Sequence, residues 1–292
     1  MTAELQTRPS QKNQTPGLQP ADRELEPSVL SGLLNLWNLR SLTKLMVERD
    51  FVGRYKGSLL GALWPVLNPL GHMILYTFLF SMILKVRFGD SASTSNFALY
   101  LMCGLLPWTA MAEAIASSTT KILEMPNLVK RVVFPLEILP LVSTISAFTS
   151  GIISILLLCV VACIFTQSVP WTLLLIPIVL VPQFLFALGI SWLLASLGVF
   201  VRDSKHIVAL GLSAWMYATP VVYPSEMLPE NFKWLLTANP VAGMINDYRR
   251  LIIEGSLPEL VPYLTYTGIS VIMCYIGFSF FYKTKKSFAD VM

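Results

Sequence analysis

Charged side chains are scarce in this chain. Only 13% of its 292 residues are Asp, Glu, Lys or Arg, whereas 54% are hydrophobic. That charged fraction is roughly half the fraction in an ordinary soluble domain. Because a soluble domain could not bury so much apolar surface, the composition excludes a soluble globular protein and favours an integral membrane protein.

Residues that carry catalysis or bind metals are also few. The two histidines stand alone, and the four cysteines show no paired spacing, so we expect no metal site and no disulfide framework. The sequence contains no glycine-rich loop followed by Lys-Ser/Thr, no dinucleotide-binding fingerprint and no His-Glu-x-x-His motif. We therefore predict no catalytic residue and no cofactor on this chain. The net charge of +4 needs no nucleic-acid partner, since membrane asymmetry accounts for it.

Long charge-free runs are abundant instead. The run between Glu137 and Arg202 holds 64 uncharged residues and divides at a polar, turn-forming cluster over 166–170. An apolar helix of about 20 residues crosses the hydrocarbon core. The runs predict six spans, at about 62–84, 97–118, 138–165, 171–200, 206–224 and 260–282. Their lack of strict alternation favours helices over a β-barrel, so the predicted fold is an all-α integral membrane protein.

The distribution of basic residues predicts the orientation. Six spans put both termini on one side, and that side then holds 16 lysines and arginines against 5 on the other. Because positively charged loops stay in the cytoplasm, we expect both termini there. We expect a multi-pass membrane protein in contact with membrane lipids.

Three regions outside the spans are distinctive. Residues 1–27 are rich in Gln, Pro, Thr and Glu and predict a disordered tail. Residues 28–58 have helical apolar spacing and basic residues, which predicts an amphipathic helix in the headgroup plane; a soluble helix docked on a partner protein is the alternative. The apolar-rich segment 225–259 predicts short external helices that dip into the outer leaflet or cap a pore, with a loosely folded loop as the alternative.

Four short motifs resemble one family. The first is Arg49-Asp50-Phe51-x-x-Arg54-Tyr55-Lys56-Gly57-Ser58-x-Leu60-Gly61-x-x-Trp64-Pro65-x-x-Asn68-Pro69. The others are Asn127-Leu128-Val129-Lys130-Arg131-Val132-x-Phe134-Pro135, Gly198-Val199-Phe200-Val201-Arg202-Asp203, and Asn239-Pro240 with Tyr248-Arg249. Their order, their spacing and the predicted span count resemble ABC-2-type permeases that export polysaccharides such as O-antigen, capsule or teichoic acid. The resemblance covers residues 30–285, including a six-span domain over 59–285.

The resemblance implies a location and partners. The location would be a bacterial cytoplasmic (inner) membrane. The same resemblance implies a homodimer that binds two copies of a separate ABC ATPase subunit, on which ATP and Mg²⁺ would bind, so this chain would be a transport subunit and not an enzyme. A coupling helix in the loop between spans two and three would dock on the ATPase; an ordinary membrane-anchoring loop is the alternative. The implied coupling residues are Asn127, Lys130, Arg131, Phe134, Arg202 and Asp203. The interfacial segment would use Arg49, Arg54, Tyr55, Lys56 and Trp64.

The resemblance also implies an aromatic channel, since sugar rings pack their C–H faces on aromatic rings. The candidate channel residues are Tyr76, Phe80, Trp108, Trp215, Tyr217 and Tyr223, for each of which lipid-facing packing is the alternative. The candidate external gate residues are Trp234, Asn239, Tyr248 and Arg249.

The leading functional hypothesis is export of a lipid-linked polysaccharide, powered by the partner ATPase. Export of a smaller lipid or drug, cation-coupled transport and membrane-embedded transferase activity are the alternatives. A transferase should show clustered carboxylates or histidines, and the sequence has none.

Overall fold

The structure, a computed structural model, describes residues 29–83, 94–129 and 134–292. Within these ranges the chain is helical and has no β-strand. The predicted tail 1–27 and most of the first external loop lie outside the described residues. The helices are α1 (Val29–Asn38), α2 (Arg40–Tyr55), α3 (Trp64–Thr77), α4 (Thr94–Lys121), α5 (Pro126–Val129), α6 (Ile138–Thr166), α7 (Ile176–Phe200), α8 (Ser204–Ala218), α9 (Trp234–Ala238), α10 (Pro240–Arg249), α11 (Leu260–Thr284) and α12 (Phe288–Val291).

Four helices of the described ranges are long and apolar enough to cross a membrane. They cover Phe97–Lys121, Ile138–Thr166, Trp171–Phe200 and Leu260–Ser287. Each exceeds the roughly 20 residues that span a hydrocarbon core. They coincide with the second, third, fourth and sixth predicted spans, so the structure supports four of the six.

The first and fifth predicted spans correspond to shorter helices. Helix α8 has 15 residues and rises about 22 Å, less than the roughly 30 Å of a hydrocarbon core. It ends at Ala218, two residues before Pro220, rather than at the predicted residue 224. Helix α3 contains Pro69 and continues as a π-helix over Phe78–Ile83, next to undescribed residues. The described residues therefore do not confirm the count of six spans.

Helix α4 lies at the centre of the bundle and packs against α6 and α7. Its side chains Cys103, Met111, Ala114 and Ile115 are almost completely buried. Helices α3 and α8 also contact α4, while α11 packs against α7. The external segment contributes α10, which lies against α4, α7 and α11.

Glycines allow α7 and α11 to pack backbone against backbone. A Cβ atom placed on Gly277 of α11 would lie 1.9 Å from the carbonyl oxygen of Gly189 on α7. A Cβ on Gly189 would in turn lie 2.4 Å from the carbonyl oxygen of Met273. No side chain fits at either position, so these two glycines set the distance between the helices.

We call the two ends of the bundle basal and distal. The basal end carries α1, α2, α5 and α12, with the ends of α4, α7 and α11; the distal end carries residues 219–259. Helices α1 and α2 cover most of the predicted interfacial segment 28–58, and apolar Leu34, Trp37 and Leu45 are exposed on them. Their place in the headgroup plane stays a prediction.

Candidate functional site

A cluster of charges ties α2 to α4 at the basal end. The carboxylate of Asp50 accepts a 2.5 Å hydrogen bond from Nζ of Lys121, the last residue of α4. The same carboxylate accepts a 3.2 Å hydrogen bond from Arg54, one helical turn further along α2. Arg54 also pairs with Glu113 of α4. The four side chains form a chain of alternating charge that crosses between the two helices.

The ionised form of Asp50 is favoured within this cluster. Burial by itself would raise the pKa of this carboxyl group, because a low dielectric disfavours charge. The hydrogen bond and positive charge of Lys121, helped by Arg54, outweigh burial and hold the pKa of Asp50 below its ordinary value. Asp50 is therefore a carboxylate throughout the neutral range.

A cavity of about 480 Å³ opens beside this cluster, between α2, α3, α4 and α6. Its lining includes polar side chains such as Asn68, His72 and Glu113. Four residues predicted from the sequence line it: Arg54, Tyr55, Trp64 and Tyr76. The structure thus brings predicted interfacial residues and one predicted channel aromatic together at a single cavity.

A second cavity, of about 600 Å³, lies between α2 and α5. Arg49 and Arg54 line it from α2, while Asn127 lines it from α5. Because Arg54 lines both cavities, the ion-pair cluster lies between them. The structure places the predicted interfacial segment next to the described part of the predicted coupling helix.

The predicted coupling residues have different surroundings. Asn127 is exposed on α5, whereas Phe134 is partly buried against a hydrophobic cluster that includes Trp192 and Phe281. Lys130 and Arg131 lie outside the described residues.

The turn before α8 also belongs to the predicted coupling set. Arg202 and Asp203 are both described and both exposed, and no ion pair joins them. Contact with the ATPase stays a prediction. Lys56, after the end of α2, is exposed as well.

The predicted channel aromatics form two groups on different flanks of α4. On the α3 side, Tyr76 stacks on Phe80 with ring centroids 6.2 Å apart. On the α8 side, buried Trp108 meets Trp215 edge to face at 5.5 Å. Tyr217 is exposed on α8, and its carbonyl oxygen accepts a hydrogen bond from the Tyr223 hydroxyl.

Within this single chain, Trp108 is therefore a packing residue and not part of an open surface. Its edge-to-face contact with Trp215 fixes α8 against α4. The role of all six aromatics in a channel stays a prediction.

The distal segment 225–259 contains the short helices that the sequence predicts, including α9 and α10. Asn239 joins them to α8: its side-chain oxygen accepts hydrogen bonds from the Val241 amide at 3.1 Å and the Trp215 indole at 3.3 Å. Its amide nitrogen donates to Thr219 at 2.7 Å. Asn239 is thus the N-cap of α10 and a fixed link to the end of α8. Trp234, by contrast, is exposed at the start of α9.

Arg249, at the end of α10, is completely buried. Its guanidinium group donates to the carbonyl oxygens of Pro220 at 2.7 Å and Val221 at 3.1 Å. It also lies 3.7 Å over the ring of Tyr100 on α4. A buried arginine needs such partners, because an isolated charge would be strongly unfavourable. Arg249 therefore joins α10, α4 and the chain after α8.

Tyr248 is buried beside it. The Tyr248 hydroxyl donates to the side-chain oxygen of Gln183 on α7 at 2.8 Å. The Gln183 amide then donates to the Pro107 carbonyl oxygen in α4 at 2.8 Å. Two of the four predicted gate residues are consequently core residues that hold the distal segment in place.

Sequence reasoning missed several residues of the distal hydrogen bonds and of the basal ion-pair cluster. Gln183 is an isolated amide within the long apolar run 171–201, and that was the available signal. Buried Asp247 accepts a 2.8 Å hydrogen bond from Tyr266 of α11, a pairing that no local pattern reveals. Glu113, a lone charge within a predicted span, proves to be the partner of Arg54.

Comparison with known proteins identifies the family. Residues 41–252 match the ABC-2 type transporter family model. The chain is 33% identical over 261 residues to the O-antigen export system permease protein RfbA of Klebsiella pneumoniae, which covers 88% of this chain and 97% of that protein. It is 31% identical over 257 residues to the O-antigen export system permease protein RfbA of Myxococcus xanthus. That match covers 87% of this chain and 96% of that protein. The chain therefore belongs to the ABC-2 type transporter family.

Proposed function

We propose that this chain is the membrane-spanning permease subunit of an ABC transporter that exports a lipid-linked polysaccharide across the cytoplasmic membrane. The observation that carries the proposal is the match, along nearly the whole chain, to relatives named as O-antigen export permeases. The polar cavity with aromatic side chains beside α3 supports the same substrate class.

ATP hydrolysis would take place on a separate subunit, with its Mg²⁺. Exposed Asn127 on α5 and exposed Arg202 and Asp203 before α8 lie at the same end of the bundle, where one partner protein could contact both. The ion pair between Asp50 and Lys121 then links the end of α4, close to α5, to α2. A movement of α5 would in this way be transmitted to the cavity between α2, α3, α4 and α6.

Two copies of the chain would form the transporter. Helices α3 and α8 flank α4, and exposed apolar residues such as Ile74 on α3 and Leu210 on α8 leave them partly uncovered. A second copy against these faces would cover them. Most basic residues of the described part lie at the basal end, which favours the cytoplasm for that end and for both termini.

Deletion of the gene tests the export function. We expect loss of surface polysaccharide and accumulation of lipid-linked polysaccharide inside the cell, with both effects reversed by the wild-type gene. An unchanged surface polysaccharide would contradict the proposal.

Affinity purification in mild detergent tests the ATPase partner. We expect an ABC ATPase to co-purify with the wild-type chain. We expect the double variant Lys130→Glu/Arg131→Glu to lose it, because the reversed charges would repel an acidic docking site. The control Lys283→Glu/Lys286→Glu makes the same charge change at the basal end of α11 and should retain the ATPase. Equal recovery with both double variants would refute the docking assignment.

A further inference from the structure

The C-terminal residues 285–292 fold back onto the basal end of the bundle. After α11 ends at Thr284, one turn of 3-10 helix over Lys285–Ser287 leads into α12. The last residues of a chain are usually poorly ordered unless contacts hold them. Here Phe288 is completely buried, and Met292 packs against the same hydrophobic cluster. The C-terminal segment is thus held to the bundle by its own side chains.

An ion pair joins this segment to the loop between α4 and α6, which carries the predicted coupling helix. Nζ of Lys285 donates a 3.1 Å hydrogen bond to the carboxylate of Glu137, the residue before α6. Only 5% of the Glu137 side chain is exposed. Its backbone carbonyl oxygen accepts a 3.0 Å hydrogen bond from the Trp192 indole. Because a buried carboxylate needs an opposite charge, Lys285 fixes the end of this loop.

The ring of Phe288 contacts the other region that carries predicted coupling residues. It meets Phe200 edge to face with ring centroids 5.9 Å apart, and Phe281 of α11 at 5.5 Å. Phe200 is the last residue of α7 and lies two positions before Arg202. Such contacts favour one orientation of the rings. The C-terminal segment therefore contacts the chain beside both regions.

One hydrophobic cluster underlies these contacts. Phe288 belongs to it together with Val129 of α5 and Leu136 of the loop before α6, and Phe134 packs against it partly buried. Protein interiors are densely packed, so the loss of a large side chain leaves a cavity and disturbs its neighbours. Removal of the Phe288 ring is thus expected to disturb α5, the loop before α6 and the turn after α7 together.

We propose that residues 285–292 position the loop between α4 and α6 and the turn after α7 for one ATPase subunit. This role rests on the proposed function and adds the C-terminal segment to the docking end. Lys285 holds the loop through Glu137, and Phe288 holds the turn through Phe200. Because both regions are set before the ATPase arrives, less conformational entropy is lost on docking.

Hydrogen exchange of the full-length chain in lipid nanodiscs, without the ATPase, tests whether the segment holds both regions. We expect Phe288→Ala to speed exchange by at least about fivefold in peptides from 122–142 and from 198–206. Lys285→Met should speed it in 122–142. Exchange in the distal segment 219–259 should stay as in the wild type. Where Phe288→Ala does not fold, Phe288→Leu keeps more apolar volume and should show the same pattern more weakly.

Titration of the co-purifying ABC ATPase onto the same nanodiscs tests the positioning role. We expect Phe288→Ala and Lys285→Met to weaken the affinity by about three- to thirtyfold, because the docking regions must then be ordered on binding. Lys285→Glu should weaken it further, since it places two carboxylates together. The exchanged pair Glu137→Lys/Lys285→Glu should recover most of that loss.

Matched controls are present in the chain. Phe280→Ala makes the same truncation at an exposed position of α11, and Lys283→Met removes the same charge from an exposed position. Tyr266→Phe removes a buried hydrogen bond to Asp247 at the distal end, which controls for a general loss of stability. All three variants should bind the ATPase with the affinity of the wild type.

The outcomes separate the positioning role from the proposed function. Unchanged exchange in both regions of the Phe288 variant overturns the role, and so does equal ATPase affinity in all variants. Weakening by Tyr266→Phe as large as that by Lys285→Met also overturns it, because stability alone would then explain the effect. Faster exchange with weaker binding, confined to the C-terminal variants and relieved by charge exchange, supports it. A wild-type chain that binds no ABC ATPase overturns the proposed function instead, whatever the exchange result.

Discussion

Asp50 of α2 and Lys121 of α4 form an ion pair with a 2.5 Å hydrogen bond, although they are 71 positions apart in sequence. Both side chains are largely shielded from solvent, with 11% and 13% of their surface exposed. Lys121 is the last residue of α4, close to the predicted coupling helix, while Asp50 lies on the helix that borders the cavity. The pair is thus a direct polar link between the end of α4 and helix α2.

A double-mutant cycle measures the strength of this link. We expect Asp50→Asn, Lys121→Met and the double variant to give a coupling free energy of about 1–2 kcal/mol, because the pair is mostly buried and hydrogen-bonded. The exposed pair of Glu230 and Lys233, with 83% and 50% of their surface accessible, should give less than about 0.5 kcal/mol. Chemical unfolding in detergent supplies the values. Equal coupling free energies in the two pairs would show that the buried pair contributes no more than an exposed surface pair.

The lowered pKa of Asp50 predicts how this stabilisation depends on pH. The pKa of an aspartate in an unfolded chain is about 3.9, and the folded value is lower. The contribution is therefore complete above the unfolded pKa and is lost as the pH falls through the folded pKa. We expect the difference in unfolding free energy between the wild type and Asp50→Asn to be constant from about pH 5 to 8. Below about pH 4 the difference should shrink. A difference that changed near pH 6 would contradict the lowered pKa.

Glycine at position 277 is required for the packing of α7 and α11. Its absent Cβ would lie 1.9 Å from the carbonyl oxygen of Gly189, and backbone atoms cannot move aside as a side chain does. We expect Gly277→Ala to destabilise the protein by at least about 2 kcal/mol. Gly268 lies on the same helix with nothing within 4 Å of a Cβ, so Gly268→Ala should be neutral or slightly stabilising. Thermal unfolding of the two variants would test this, and equal midpoints would refute the close approach.

Arg249 should not tolerate replacement by lysine. Its planar group donates to the carbonyl oxygens of Pro220 and Val221 while it stacks on Tyr100, and a single ammonium group cannot reproduce that geometry. We expect Arg249→Lys to cost about 2–3 kcal/mol of stability and to loosen the distal segment. The neighbouring Arg250 pairs with exposed Glu259, so Arg250→Lys should cost about 0.5 kcal/mol or less. Hydrogen exchange of residues 219–259 reports the loosening; unchanged exchange in Arg249→Lys would contradict this role.

Charge-free runs were sufficient to locate the four long helices, because only apolar composition and length matter to a helix in lipid. The described residues do not confirm the first and fifth predicted spans, at α3 and α8. Pro69 lies within α3, which continues as a π-helix, and α8 ends two residues before Pro220; a lack of charge does not report such features. The short helices of the external segment were predicted from apolar residues interspersed with polar ones.

The cavity could be foreseen only in part. Motif residues Arg54, Tyr55 and Trp64 line it, but their convergence with Tyr76 depends on how α2, α3, α4 and α6 pack. The family resemblance implies that Arg249 and Tyr248 belong to an external gate. The structure shows that both are buried and hydrogen-bonded, and their role in a gate stays a prediction. Long-range hydrogen bonds of this kind leave no local sequence pattern.

Inverted membrane vesicles that contain this chain, its co-purifying ATPase and lipid-linked polysaccharide offer the most direct test of the proposed transport. Export would carry the glycan into the vesicle lumen, where an added glycosidase cannot reach it. We expect ATP to increase the protected fraction, and the Lys130→Glu/Arg131→Glu variant to abolish that increase. Protection that is independent of ATP, or equal in vesicles without this chain, would contradict ATP-driven polysaccharide export by this protein.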